Sequence, residues 1–353
     1  MKIVIAIDSF KGCLSSAEAN QAAADGVRQA RADADVRQVV VSDGGEGFAA
    51  AFHAAIGGKL IEVATRDPLM RHIMASYLLK DNLAVVEMAQ ASGLALLADN
   101  ERNPLVATSY GTGLLIADAV RRGARHVIVG LGGSGTSDAG RGMLRSLIDC
   151  FAPNGRWDDI DALKGVQFTI ASDVQNPLCG EQGAAHVFGP QKGATPTMVA
   201  QLDARDRRFA EVSARHFGFD RSQMAGAGAA GGVGYALLQY LDAHCMAGID
   251  LLLDALRFDA MVADADYVLT GEGSADRQTL MGKLPMGILL HARQKPVVLI
   301  AGRIADRDAL LQAGFAHVAC INPPDTPLSE ALRPEMARQN IRQTVCALLT
   351  QLV

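Results

Sequence analysis

Both ends of the chain are built from uninterrupted apolar runs that stop at polar, glycine-containing segments. In KIVIAI (2–7) every position from Ile3 is apolar, and the run stops at Asp8. A short run without polar alternation suits a strand buried on both faces of a parallel sheet. Ser15 and Glu18 then have capping-box spacing. Behind them Ala19, Ala22, Ala23, Gly26, Val27 and Ala30 recur along one helical face. VRQVVV (36–41) reads as the second strand, so the chain opens β-α-β. The C-terminal end continues the pattern with YVLT (267–270), a helix around 284–293, PVVLIAG (296–302), a helix around 306–313, HVACIN (317–322) and a last helix. These strands predict a flavodoxin-like sheet of order 2-1-3-4-5.

The middle of the chain has a different rhythm. KLIEVATRD, HIMASYLLK and LAVVEMA, roughly 59–89, follow each other too closely for intervening helices, and Asp81-Asn82 forms a tight turn between the last two. That spacing predicts an antiparallel meander. The expected fold class is therefore α/β: a flavodoxin-like parallel-sheet domain with a second α/β domain, of mixed or antiparallel sheet, inserted into it. The boundaries read as 1–58 with 261–353 for the first domain and 59–260 for the second. A length of 353 residues agrees, since single cores stop growing near about 250–300 residues.

Composition narrows the function. Apolar residues make up 49% and charged residues 20% of the chain, as in a globular protein with a full core. The net charge of −5 comes without a basic run, which argues against nucleic acid as the main partner. MKIVIAID is interrupted too early for a signal peptide, and no apolar run approaches the ~20 residues of a membrane span. The six cysteines are scattered without a C-x-x-C pair, which reads as reduced thiols in a cytoplasmic protein. The eight histidines include no H-E-x-x-H, so a protein-held zinc has little support. Nothing in the sequence speaks to oligomeric state.

The chemistry gathers around glycine. Gly accounts for 36 residues, and the excess is concentrated in DSFKG (8–12), SDGGEG (42–47), GLGGSGTSDAG (130–140), GAGAAGG (226–232) and GEGSADRQTLMGK (271–283). Most of these clusters join glycines to a carboxylate and a hydroxyl. Converging backbone N–H groups form nests for anions, and Ser or Thr adds donors. A carboxylate beside such a nest calls for a divalent cation or a general base. Together they describe a site for a phosphorylated ligand with Mg²⁺. In the order 2-1-3-4-5, ligands sit beyond the carboxyl ends of the strands at the switch point. That rule gathers Asp8, Lys11, Asp43, Glu46, Glu272 and Asp276 into one neighbourhood. GLGGSGTSDAG and the strand-end Asp173 of TIASDVQNPLCG are expected to form the facing wall of an interdomain cleft.

Two familiar nucleotide motifs fail. Gly226, Gly228 and Gly231 fit G-x-G-x-x-G, but the preceding ARHFGFDRSQMA contains no β-branched apolar strand, which the dinucleotide fingerprint requires. Gly282-Lys283 is followed by Leu284, so no P-loop is present.

Taken in order, DSFKG, DGGEG, GGSGTSD, SDVQNPL, GPQKGATP, GAGAAGGVGYAL and GEGSADRQTLMGK closely resemble the bacterial glycerate kinase family, type I, from residue 3 to about 302. The chain departs from the family's usual pattern at Ser137, where Asn is frequent, and at Ala139, where Gly is frequent. The resemblance implies ATP- and Mg²⁺-dependent phosphorylation of D-glycerate, giving 2-phosphoglycerate, and a flavodoxin-like domain carrying an inserted one. It makes GAGAAGG a kinase loop. Lys11 is the first choice for neutralising the transferring phosphoryl oxygens, with Lys283 and Lys192 behind it. Asp173 is the expected general base, with Asp8 and Asp276 as rivals. Asp43, Glu46 and Glu272 are the candidates for Mg²⁺. Gly132, Gly133 and Ser134 are expected to bind phosphate or substrate carboxylate, and Ser9, Gly44, Gly45, Asp138, Gly228, Gly271 and Gly273 complete the expected nucleotide contacts. Two rival functions predict different outcomes. A nucleotide-dependent oxidoreductase would use Asp43 on a ribose, and a non-catalytic two-lobed binder of sugar acids would bind ligand without ATP turnover.

Overall fold

The computed structural model describes residues 1–10, 12–42, 44–45 and 47–351. β1 (Lys2–Ile7), α1 (Ser16–Ala30), β2 (Asp35–Gln38) and α2 (Phe48–Ile56) come first. β3 (Lys59–Arg66), β4 (His72–Lys80), β5 (Leu83–Glu87), α3 (Ala89–Ser92), α4 (Tyr110–Arg121), β6 (His126–Gly130), α5 (Arg141–Phe151) and β7 (Gln167–Ala171) follow. Next are α6 (Ala184–Phe188), α7 (Pro196–Phe217), α8 (Ala229–Leu241), β8 (His244–Met246), α9 (Gly248–Leu256) and α10 (Phe258–Val262). The chain ends with β9 (Tyr267–Ala275), α11 (Leu284–His291), β10 (Val297–Ile304), α12 (Arg307–Gln312), β11 (His317–Cys320), α13 (Leu328–Ala331) and α14 (Pro334–Gln351). Among the described residues, no helix is long and apolar enough to cross a membrane, and all six cysteines are free thiols.

The chain divides into two compact units, Met1–Ser42 with Ile249–Val353, and Asp43–Gly248. The boundaries expected at 58 and 261 differ from these: α2 belongs to the second unit, and α9 (from Ile249) and α10 belong to the first. The reason is packing. Phe48 of α2 lies against Gly130, and the backbone N–H groups of Gly47 and Ala49 donate to the Glu87 carboxylate. On the other side, Ile249 packs onto Gly287, and His291 of α11 lies against both Asp250 and Asp259.

The first unit's sheet has the order β11-β10-β9-β1-β2, parallel throughout. Numbered within that unit it is the flavodoxin-like 2-1-3-4-5 that the apolar runs predict. Ile3, Ile5, Ile7, Leu269, Val298 and Ile300 form one core with the inner faces of α1 and α14. The capping box holds as spelled: Ser15 Oγ accepts from Glu18 N at 3.3 Å, and Glu18 Oε2 accepts from Ser15 N at 2.9 Å. Gly26 lets α14 come close, since a Cβ there would lie 2.5 Å from Arg342 O.

Two strand limits differ from expectation. β2 ends at Gln38 rather than at 41, because side chains of α1 take over the backbone beyond it. Asn20 Nδ2 donates to Val39 O at 2.7 Å, and Val41 N donates to Ser16 Oγ at 3.1 Å. β9 runs on to Ala275, through residues expected to form a loop, because Gly271–Ala275 keep pairing with β10.

The second unit holds a mixed sheet of order β3-β4-β5-β6-β7-β8. β3 to β5 form the antiparallel meander, turning at Asp81 with φ +52°, and β5 to β8 are parallel. α8 runs through the interior. Val233, Tyr235, Leu237 and Leu238 join Val127, Val129, Phe168 and Ile170 in the core, so this helix is apolar on nearly every side.

Candidate active site

In the first unit the chemistry sits at the carboxyl ends of β1 and β9, as expected for an open parallel sheet. Asp8 N donates to Gly271 O at 2.9 Å, and Ser9 N donates to Asp8 Oδ1 at 2.7 Å. Phe10 and Leu14 exchange a pair of backbone hydrogen bonds, each at 2.9 Å. Lys11, Asp43 and Glu46 lie outside the described residues.

Glu272 was expected in a loop, but it belongs to β9, paired with Ala301 and buried. Thr279 Oγ1 donates to its Oε1 at 2.5 Å, and Lys283 Nζ lies 3.6 Å from its Oε2. Burial pushes the Glu272 carboxyl above its usual range, against the pull of Thr279 and Lys283. Asp276 joins the same network. Its N–H donates to Thr279 Oγ1 at 3.0 Å, and its carboxylate accepts from Gln278 N at 2.8 Å. The structure therefore brings Asp8, Ser9, Glu272, Asp276 and Lys283 to one end of one sheet. Gly271 and Gly273 are strand residues, and it is at Gly271 and at the facing Gly302 that a side chain is excluded. A Cβ on Gly271 would collide with Ile300 O, and Gly273 O lies 2.7 Å from where a Cβ on Gly302 would sit.

In the second unit the corresponding end is formed by β5, β6 and β7. Gly44, at φ +96°, lies on the end of β7, where a Cβ would come within 2.8 Å of Ala171 O. Gly132 N donates to Gly44 O at 3.1 Å, and a Cβ on Gly132 would collide with Gly45 Cα. Gly44 and Gly45 are thus packed backbone to backbone against the GLGG segment. Asp173, half-buried, follows β7 two residues after Ala171. The Gly133–Gly135 turn is braced by the segment after α3: Leu94 N donates to Gly133 O at 2.8 Å, and Gly135 N to Ser92 O at 2.9 Å.

Lys192, in the short turn after α6, is 2% exposed. Its Nζ donates to Ser134 Oγ at 2.9 Å and to Thr136 O at 2.6 Å. Among the described residues it has no carboxylate within ion-pair distance. Burial depresses its pKa to about 8, with the Asp138 charge pulling weakly the other way. An ammonium buried without a counter-ion is costly. The Thr136 and Ser137 hydroxyls beside it are buried and have no hydrogen-bond partner among the described residues. A cation set under a glycine-rich loop that carries two buried hydroxyls, unpartnered among the described residues, fits an anionic ligand group.

Two expected ligand contacts are occupied internally. The Asp138 carboxylate accepts from Ser109 N at 2.8 Å, Ser109 Oγ at 2.9 Å, Gly140 N at 3.1 Å and Gly142 N at 3.1 Å. It ties the start of α4 to the start of α5, where a negative charge is favoured. Gly228 N donates to Asn176 O at 2.8 Å. The last three residues of GAGAAGG form a left-handed turn. Ala230, Gly231 and Gly232 have φ of +54°, +65° and +88°, and Gly231 packs against the backbone of Thr136 and Ser137. No strand precedes it: α7 ends at Phe217 and a loop follows. The segment packs one loop against another and lacks the setting of a dinucleotide fingerprint.

Sequence reasoning missed Glu87 and Thr279. Glu87 closes LAVVE as the one charge at the end of an apolar strand and is 1% exposed. A charge in that position was a readable signal. Thr279 carries none outside the fold. Among the described residues no group of three or more His, Cys, Asp and Glu is placed to hold a metal ion.

Comparison with known proteins follows the same direction. A sequence profile described as the glycerate kinase family matches residues 3–156 and 156–353. The glycerate kinase of Haemophilus influenzae is 42% identical, the match covering 98% of this chain and 97% of that protein. The glycerate kinase of Bacillus subtilis is 41% identical over 94% and 93%, and the glycerate 2-kinase of Escherichia coli 39% identical over 94% and 93%. A crystal structure from Salmonella typhimurium LT2, whose protein is provisionally named glycerate kinase 2, superimposes with a TM-score of 0.83 at 39% identity, covering 100% of this chain and 98% of that one.

Proposed function

The chain belongs to the glycerate kinase family, and from that premise we propose that it transfers the γ-phosphoryl group of ATP, with Mg²⁺, to the 2-hydroxyl of D-glycerate in the cytoplasm. Among the geometric observations, the buried ammonium of Lys192 beneath the Ser134–Thr136 loop supports this reading best, because such a charge is retained where an anion is to be bound.

The roles follow from the chemistry of each group. Phosphoryl transfer asks mainly for positioning and charge stabilisation. Lys11, Lys283 and Lys192 supply positive charge for phosphoryl oxygens. Gly133 and Ser134, held in place by Gly132 packing against Gly44 and Gly45, offer backbone N–H groups and a hydroxyl to a carboxylate or phosphate. Asp173 accepts the proton of the attacking hydroxyl, a task that Asp8 and Asp276 also suit. Glu272 is one buried carboxylate beside a hydroxyl and a lysine. It fits Mg²⁺ held mostly by phosphates and water, with one or two carboxylates from the protein. Asp43 and Glu46 are the further candidates. When bound, Mg²⁺ neutralises charge on the phosphate oxygens.

The test is incubation with ATP, Mg²⁺ and D-glycerate, with the product read by phosphorus NMR. Phosphate on the 2-oxygen couples to a single proton and gives a doublet, whereas phosphate on the 3-oxygen couples to two and gives a triplet. A doublet is expected. A triplet would move the reaction to the other hydroxyl, and no phosphoglycerate would overturn the proposal.

A further inference from the structure

A glycine-rich loop has little conformational preference of its own, so what fixes the Gly132–Asp138 segment has to come from outside it. Three successive carbonyl oxygens there each meet a different cation. Thr136 O accepts from Lys192 Nζ at 2.6 Å, Ser137 O from Arg205 Nη2, and Asp138 O from Arg141 Nε at 3.0 Å. The cations come from three places: the turn after α6, the middle of α7, and the first residue of α5. Arg205 also donates from Nη1 to Leu105 O at 3.4 Å, so its planar fork spans two segments.

The counter-charge is hidden as well. Asp206 is 1% exposed and lies 3.5 Å from Arg205 Nε, yet among the described residues neither of its oxygens accepts a hydrogen bond. Burial lifts its carboxyl to about 7, against the pull of Arg205 and Arg141. Behind the loop, three cations (Lys192, Arg205, Arg141) therefore stand against two carboxylates (Asp138, Asp206), leaving an excess positive charge. A trans peptide aims its N–H opposite its C=O. Pinning Thr136 O and Ser137 O thus turns the N–H groups of Ser137 and Asp138 to the other side of the loop.

We infer that Arg141 and Arg205 are positioning residues: with Lys192 they pin three consecutive carbonyls and so hold the Gly132–Asp138 loop as a preformed receptor for an anionic oxygen group of a substrate. The inference rests on the glycerate kinase reading, under which that group is the carboxylate of glycerate or a phosphate of ATP. Hydrogen bonds to charged groups are worth more than neutral ones, so the loop should loosen measurably when one is removed.

The test begins with wild-type turnover on ATP, Mg²⁺ and D-glycerate, whose absence would refute the kinase reading without touching the loop. Steady-state kinetics and thermal unfolding are then measured for Arg205→Met and Arg205→Lys. Arg205→Met is expected to raise KM for one substrate about tenfold and leave the other within about twofold. Arg205→Lys keeps the charge but not the fork, and is expected to recover part of that loss. A rise in the glycerate KM assigns the receptor to the carboxylate, and a rise in the ATP KM assigns it to phosphate. If both KM values stay put while the melting temperature falls, the cations are structural only and the inference is overturned. Should Arg205→Met fail to fold, Asp206→Asn decides the matter. Measured at pH 8, where Asp206 is mostly ionised, it leaves all three tethers in place and removes a negative charge, so it is expected to lower the same KM. An unchanged KM there overturns the inference equally.

Discussion

Replacing Lys192 with Met is expected to make the protein more stable and nearly inactive. Lys192 titrates near 8 instead of 10.5 because it is buried. At about 1.4 kcal/mol per pKa unit, keeping it charged in the folded protein at pH 7 costs about 3 kcal/mol. Methionine fills similar space without that cost. Against the gain stand the bonds to Ser134 Oγ and Thr136 O. Losing them, with Thr136 O left short of a donor, costs about 1–2 kcal/mol. The net expectation at pH 7 is a gain of about 1–2 kcal/mol. That corresponds to a rise of about 2–8 °C in the second unit's melting temperature.

The pH dependence supplies the sharper check. A lysine whose folded pKa is depressed leaves the native state with fewer bound protons than the unfolded chain between about 8 and 10.5. Wild-type stability therefore rises with pH across that window, and the advantage of Lys192→Met should shrink to nothing or reverse by its upper end. The assay is denaturant unfolding at pH 7 and pH 10, paired with glycerate phosphorylation at pH 7, where turnover should drop by about a hundredfold or more. A variant that is less stable at pH 7 yet as active as wild type would refute the reasoning at both points.

Other substitutions test separate links. Asp206→Asn removes a carboxyl held near 7. The native state keeps that proton while the unfolded chain loses it between about pH 4 and 7, so wild type loses stability across that window and the Asn variant does not. The gap should open to at most about 4 kcal/mol by pH 7 and stay level above it, as read by melting curves in a pH series. Gly231→Ala puts a Cβ onto Thr136 O and 2.6 Å from Ser137 Cα in a left-handed conformation. It should cost about 3 kcal/mol or more in denaturant unfolding, whereas Gly218→Ala, with φ +78° and open space around it, should cost only about 1 kcal/mol. Asp173→Asn should lower kcat by about 10²–10⁴ with little change in either KM, if it takes the hydroxyl proton. An unchanged kcat removes it from that role.

Local patterns carried the architecture. Ser15 and Glu18 spell the cap of α1, the apolar runs give the parallel strands of the first unit, and Asp81-Asn82 turns the meander. These features are legible because periodicity and turn chemistry act between residues close in the chain. The glycine clusters are legible as concentrations of glycine beside carboxylates and hydroxyls, which read as anion nests. The backbone each one packs against is not legible: Gly44 meets Ala171, and Gly231 meets Thr136.

The candidate site divides along the same line. Sequence alone named Asp8, Asp276, Lys192, Lys283 and the Gly132–Ser134 loop. Only the tertiary structure decided that Asp138 is spent on five donors inside the protein, that Glu272 belongs to a strand, and that Lys192 lies wholly out of water under Ser134. Burial and hydrogen-bond partnership depend on residues far apart in the chain. A charge is therefore visible in the sequence, while its partner and its access to solvent, which set its chemistry, are fixed only when the chain has folded.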